Sequence, residues 1–429
     1  MNKLLKISAI ASLFLFGIKN TQAQEINSSR ILDNYRLPDQ RGINVFEAPK
    51  DTVTSFDGID VRIGGAFALQ FQAIDNENSN TELNQVQGVG ENFNLPTANF
   101  DLDVVLYDGV RLHLRTYLSS RHHHEPYVKG GYLLVDKLDF VQKGFLKDFM
   151  KYTTIKIGHM ENNYGDAHFR RSDNAEAIYN PFVGNLIMDG FTTEVGAELY
   201  YRRNGFIGMV GFTNGKLNQS VTENEYNKTG GASFLAKLGY DKQLNNDLRV
   251  RLTGSIYNTG YIPETHLYSG DRAGARYYSV MQELGSTNDN FRASRYDPKL
   301  ENKIRAIMIN PFVKYRGLEF FGTIETSTGK ASSEIDDRTV NQYAGELVYR
   351  FGLNENLYVG ARYNYVDSED ISGQDVSIDR FQAAAGWFMT KNILLKAEYV
   401  VQNYNDFGEG SLLNGGKFDG GMVEAVISF

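Results

Sequence analysis

From residue 59 to the C-terminus the chain repeatedly alternates apolar and polar side chains with a period of two. The odd positions Ile59, Val61, Ile63, Phe67, Leu69 and Phe71 are apolar, while Asp60, Arg62, Gln70 and Gln72 lie between them. Phe100, Leu102, Val104 and Leu106 alternate with Asp101, Asp103 and Tyr107. After Asp108-Gly109 the pattern resumes with Val110, Leu112 and Leu114 set against Arg111, His113 and Arg115. Such a period places one face of a strand in an apolar medium and the other in a polar one. An Asp-Gly or Asn-Gly pair between two alternating runs is the strongest short-range hairpin signal, and Asn204-Gly205 repeats it. No downstream apolar run approaches the ~20 residues that a membrane helix needs. Closed β-barrels are the other way to satisfy every backbone N–H and C=O in lipid. Alternation of this kind reconciles a membrane barrel with a hydrophilic average, here a mean hydropathy of −0.38.

Residues 1–23 read as a secretory leader. Lys3 and Lys6 precede a short apolar stretch over residues 7–18, and Thr21-Gln22-Ala23 offers small residues before a cut at Gln24. An uncleaved anchor is the alternative, disfavoured by the shortness of the apolar run. Loss of Lys3, Lys6 and Lys19 takes the formal charge from −8 to −11. The absence of cysteine excludes disulfides, Cys-ligated zinc and thiol chemistry. An acidic chain without basic blocks is not expected to bind nucleic acid.

Sixteen alternating segments can be counted, which predicts an all-β transmembrane antiparallel barrel over residues 57–429, preceded by an N-terminal extension at 24–56. The segment at 304–315 fits neither parity and is expected to hold a bulge. The weak fourth segment is expected over residues 130–140. Connections after even-numbered strands are short, as at 108–109, 204–205, 316–317 and 391–392, and only 141–151 is longer. Those after odd-numbered strands are generally long and polar, matching short periplasmic turns and long external loops. The last strand ends on Phe429 with Gly421, Val423, Ala425 and Ile427 on its face, similar to the assembly signal of outer-membrane barrels. Tyr201, Tyr240, Tyr363, Tyr365, Trp387 and Tyr399 lie on the apolar parity as candidates for interfacial girdles.

A barrel of this width is expected to enclose an aqueous channel. The polar parity places Arg62, Arg111, Arg115, Lys156, Arg202, Lys237, Arg249, Arg251, Arg350, Arg362, Arg380 and Lys396 on its inner wall. Against these stand Asp60, Asp101, Asp103, Glu198, Glu319, Glu325, Glu346, Glu398 and Glu424, a small basic surplus that would favour anions unless the charges simply pair. Residues 159–193 are too long and aromatic for a floppy loop. Folded inward as a constriction loop, they would place Asp166, His168, Arg170, Arg171 and Asp173 across the path; a surface cap is the alternative.

That stretch, with GHMENNYGDAHFRRSDN at 158–174 and NPFVGN at 180–185, resembles the phosphate- and polyphosphate-selective porin family of outer-membrane channels. The resemblance implies a sixteen-stranded homotrimeric barrel for passive diffusion of small hydrophilic solutes, with the third external loop narrowing the pore and lining bases favouring anions.

Other constellations are weaker. Arg121-His122-His123-His124-Glu125 offers adjacent imidazoles, but neighbours on a strand face opposite ways and no second cluster completes a site, so no metal or cofactor is expected. Pairs such as His113 with Ser119, or His168 with Asp166, are poor evidence for an enzyme without geometry. Nucleotide, zincin and Gly-x-Ser-x-Gly signatures are absent. An adhesin or receptor acting through its external loops, such as 258–303, is the remaining class.

Overall fold

A computed structural model describes residues 32–50, 54, 56–81, 84–120, 126–223, 229–270, 276–286 and 292–429. The leader at 1–23 and the histidine run at 122–124 lie outside the described residues. The strands are β1 (Asp60–Glu77), β2 (Asn92–Phe93), β3 (Thr97–Tyr107), β4 (Val110–Ser119), β5 (Tyr127–Val135), β6 (Thr153–Glu161), β7 (Thr193–Arg203), β8 (Phe206–Thr213) and β9 (Ser233–Gln243). They continue as β10 (Leu248–Thr259), β11 (Lys303–Tyr315), β12 (Leu318–Lys330), β13 (Arg338–Phe351), β14 (Leu357–Glu369), β15 (Asp375–Thr390), β16 (Ile393–Asn405) and β17 (Lys417–Ser428).

Sequential neighbours pair antiparallel from β3 to β17, and β1 closes the sheet between β3 and β17. Sixteen strands thus form a sealed cylinder, and two-residue β2 pairs with upper β1 at Phe71 and Gln72. Closure leaves no strand edge for lipid to face. Among the described residues no helix is long and apolar enough to cross a membrane. The Asn204-Gly205 turn shows why that dipeptide was needed: φ is 53° and 91° at the two positions, the left-handed pair that matches the twist of a hairpin.

Exposure follows the predicted parity. On β13, Tyr343, Leu347, Tyr349 and Phe351 are exposed, while Gln342, Glu346, Val348 and Arg350 are buried inside. The six girdle candidates all face outward. Towards the long-loop end the outward side chains turn polar and bond across strands: Thr326 donates to Asn341 at 3.0 Å and Asn403 to Asp379 at 2.9 Å. This marks where the apolar band stops.

Three details differ from the sequence expectation. β11 contains no bulge; it pairs with β10 in one continuous register from Ile304 opposite Thr259 to Tyr315 opposite Leu248. Both of its faces are apolar because Ile304, Ala306 and Met308 pack inward against protein rather than water. Register shifts occur instead at Val105/Tyr107, Arg115/Thr116 and Phe388/Thr390. The fourth long strand, β5, ends at Val135, so residues 136–152 form a long connection with a one-turn helix at Lys147–Met150.

Charge on the lipid face is costly at mid-depth and cheap near the interface. Leu347→Arg, between Tyr343 and Tyr349, should therefore destabilise the barrel in vesicles by about 2 to 4 kcal/mol, and Thr326→Arg by no more than about 1 kcal/mol. Denaturant unfolding in lipid measures both.

Candidate functional site

The interior of the barrel is built from three layers: the strand wall, two segments folded in from the long-loop end, and an N-terminal segment across the short-turn mouth. The aqueous interior expected for so wide a barrel gives way, over much of its height, to packed side chains. Ile74, Met308, Val340, Val366, Ile378 and Val400 of the wall form one buried cluster with Tyr164, Val183, Ile187 and Met188. Leu267, Tyr268, Tyr277, Val280, Met281 and Tyr296, from the connection at 260–302, complete it.

Residues 162–192 lie inside and are tied to the wall by their own backbone. The amide of Asn163 donates to Glu198 at 2.8 Å, Asp166 to Asn310 at 2.8 Å, Val183 to Glu398 at 2.7 Å, Ile187 to Asn364 at 2.7 Å and Met188 to Gln342 at 3.0 Å. A loop needs such side-chain acceptors because it lacks a ladder of its own and its buried amides must be paired. The connection at 260–302 does the same through hydroxyls: Tyr268 donates to Glu325 at 2.7 Å, where Tyr164 also donates at 2.8 Å, and Tyr296 bonds Ser368 at 2.9 Å.

The basic side chains named on the wall all face inward, and each is held by protein. Arg62 pairs with Asp103 at 2.9 Å, Arg111 with Asp136 at 2.8 Å, and Arg115 with Asp101 at 2.7 Å and with Glu176. Lys156 donates to the Glu161 carbonyl at 3.0 Å, and Arg202 to the Ala48 carbonyl. Arg249 pairs with Asp241 at 2.7 Å, and Arg350 with Glu319 at 2.8 Å. Lys237 and Arg251 converge on Asp166 at 3.0 and 2.7 Å. Arg362 joins Glu346 at 2.9 Å to the Gly184 carbonyl at 2.8 Å. Arg380 bridges the Gln402 amide oxygen at 2.5 Å to the carbonyls of Asn185 at 2.6 Å and Ser294 at 2.7 Å. Lys396 pairs with Glu424 at 2.6 Å and caps the carbonyls of Ala177 and Phe182, both at 3.0 Å. Arg115, Lys237, Arg251, Arg362, Arg380 and Lys396 thereby fasten the infolded chain, while Arg62, Arg249 and Arg350 pair across the wall. Pairing is enforced by burial, since an unmatched charge in such a place costs several kcal/mol.

The five loop residues are likewise engaged. Asp166 takes Lys237, Arg251 and a Thr253 hydroxyl at 2.7 Å. His168 uses one ring nitrogen on Glu161 at 2.6 Å and the other on Asn163 at 2.9 Å. Arg170 reaches Glu346 at 3.2 Å, Arg171 reaches Asp189 at 2.7 Å, and Asp173 meets Lys129. His113 is 2.7 Å from Asp103, so it is paired away from Ser119.

Sequence reading assigned no role to residues 24–56. Of these, residues 32–50 span the short-turn mouth. The Gln40 amide donates to the Lys391 carbonyl at 2.9 Å, and Gln40 Nε2 to Asn354 at 2.8 Å. Asn44 donates to Glu319 at 2.7 Å, and Lys50 to Asp136 at 2.9 Å. Asp136 is a hub, also accepting from Asn34 at 3.1 Å and Thr154 at 2.7 Å. Glu47 pairs with Arg251 at 2.9 Å.

Between this segment, residues 163–179 and the wall from β3 to β7 lies a cavity of about 230 Å³. Arg36, Arg111, Arg115, Lys156 and Arg202 line it together with Glu47, Asp101, Asp103, Glu161 and Glu176. The Nε–H groups of Arg111 and Arg202 are buried and have no acceptor among the described residues.

No family model matches the chain, and no curated protein matches it. Solved structures match its fold. The loop L8 deletion mutant of OmpT, an outer membrane protein of Vibrio cholerae, superposes with a TM-score of 0.51 at 12% identity, over 87% of this chain and 100% of that one. An anion-selective porin from Comamonas acidovorans gives 0.52 at 10% identity, over 86% and 100%. OprB of Pseudomonas putida gives 0.51 at 10%, over 87% and 94%. At these identities the likeness is one of fold. The chain is thus a sixteen-strand barrel of the outer-membrane type, with an interior occupied by its own infolded segments.

Burial alone would raise the carboxyls of Glu47 and Asp136 from their ordinary values of 4.5 and 3.8. Arg251 and Lys237 beside Glu47, and Arg111 and Lys50 beside Asp136, instead bring each down to about 2. Groups depressed by folding contribute fully above their ordinary range and lose that contribution as pH falls through the folded value. Residues 32–50 should stay docked at neutral pH and detach between about pH 4 and pH 2. Asp136→Asn should loosen them already at pH 7, read as faster amide exchange over residues 32–50.

Proposed function

We propose that this chain, after removal of residues 1–23, resides in the outer membrane and lets small hydrophilic solutes diffuse passively, with residues 162–192 setting the constriction. The observation that carries this reading is the charged cavity inside a sealed, lipid-facing cylinder. A barrel whose interior served only as a plug could be filled with apolar side chains, whereas this one maintains five bases and five acids around a space that water can enter. The fold likeness to outer-membrane porins and channels agrees with it.

The near-balance of charge around the cavity supports weak selectivity. Its lean towards anions, phosphate included, rests on cavity-lining bases such as Arg111 and Arg202 and on the family resemblance at 158–185. That resemblance also suggests a homotrimer. A second reading, a receptor or adhesin barrel with a closed interior, is favoured by the apolar packing of residues 162–192 and 260–302 against the upper wall.

Planar-bilayer recordings separate the two. The channel reading expects small, stepwise conductance with a modest anion preference in a salt gradient. Replacing residues 170–188 by a short Gly-Ser linker should raise the conductance several-fold, and Arg111→Gln with Arg202→Gln should reduce the anion preference. Silence in both the native chain and the linker variant would favour the receptor reading.

A further inference from the structure

Of the connections at the short-turn end, the one between β5 and β6 stands apart. Its neighbours at 108–109, 204–205, 316–317 and 391–392 are two residues long, whereas residues 136–152 hold a folded excursion reading LDFVQKGFLKDFMKY from Leu138. Its backbone is ordered by local bonds: Val141 to the Leu138 carbonyl at 3.0 Å, Phe145 to Gln142 at 2.9 Å and Met150 to Leu146 at 2.9 Å, with Asp139 accepting from the Gly144 amide at 2.8 Å. Met150 is buried beneath it. Yet Phe140, Val141, Phe145, Leu146 and Phe149 are 53, 62, 43, 51 and 47% exposed. An ordered excursion that holds five large apolar side chains outward needs something to cover them.

Two observations identify what covers them. The patch runs into the lipid-facing band: Tyr152, which ends the excursion, packs its ring 6.0 Å from that of outward-facing Tyr201, and Arg203 sits 4.8 Å over the Tyr152 ring. The apolar residues are also interleaved with Lys143, Lys147 and Lys151, all exposed. Apolar side chains at the acyl boundary with lysines at headgroup level are the pattern of an interfacial segment on an anionic leaflet.

We propose that residues 138–151 are a membrane foot. The apolar side chains dip into the periplasmic leaflet beside the barrel, and the lysines bind the phosphates of anionic phospholipid. The foot fixes the depth of the barrel on its β5–β6 side, whatever crosses the interior.

The single tryptophan and the cysteine-free sequence make the test clean. Two proteins are reconstituted into vesicles of phosphatidylcholine with or without phosphatidylglycerol, each doped with lipid brominated high on its acyl chains. The native chain reports barrel insertion through Trp387, and F145W in a W387F background reports the foot. The foot reporter should be blue-shifted and quenched comparably to Trp387, more strongly with phosphatidylglycerol, and that increment should vanish on changing all three lysines to glutamine. A foot reporter that emits as in water and escapes quenching, while Trp387 is quenched, overturns the proposal and leaves the patch to a soluble protein. Quenching that ignores phosphatidylglycerol overturns the headgroup assignment.

Discussion

Every backbone polar group within lipid must find a partner in the chain, and here the constraint is met by joining first strand to last. The pairing of β1 with β17, from Ala66 opposite Ser428 to Glu77 opposite Lys417, converts an open sheet into a cylinder. Once the sheet is sealed, strand alternation assigns each side chain to lipid or interior, and both surfaces follow. The outer one becomes an apolar band with aromatic residues along it. The inner one is released from hydrophobicity and can carry charge.

What the inner charges do follows from the room available. Sixteen strands enclose more space than their own side chains fill, and the chain returns two long connections into that space. Loops brought into a dry interior carry amides and carbonyls without partners. The wall supplies them. Glu198, Glu398, Asn364 and Gln342 accept loop amides, while Arg362, Arg380 and Lys396 donate to loop carbonyls. Removing one partner leaves its mate buried and unmatched, so the network is rigid where complete. Between residues 32–50, residues 163–179 and the wall the interior retains polar space.

The barrel was legible because lipid imposes a local rule: one face of every strand must be apolar, and neighbouring residues reveal it. Strand number, inward placement of the bases and the outward aromatic positions all come from that rule. The interior is set by pairings far apart in sequence, and no local pattern encodes them. Arg380 reads as a free wall charge until Asn185 and Ser294 are seen to return to it. The doubly apolar β11 looked irregular for the same reason, since Ile304, Ala306 and Met308 face packed protein where water was expected. Residues 32–50 carry mixed polar side chains with no period, and the mouth they span is assembled from turns hundreds of residues away. Where the chain left the rule altogether, at 136–152, length alone marked it as unusual.

Amide hydrogen exchange across residues 162–192, on the native barrel in lipid, tests most directly whether these residues are tied into the interior. The amides of Asn163, Asp166, Val183, Ile187 and Met188 are bonded to wall side chains, and should exchange as slowly as those of the adjoining strands. Exchange at the rate of an exposed loop, such as residues 217–223, would place this segment outside and leave the inner charges facing open water.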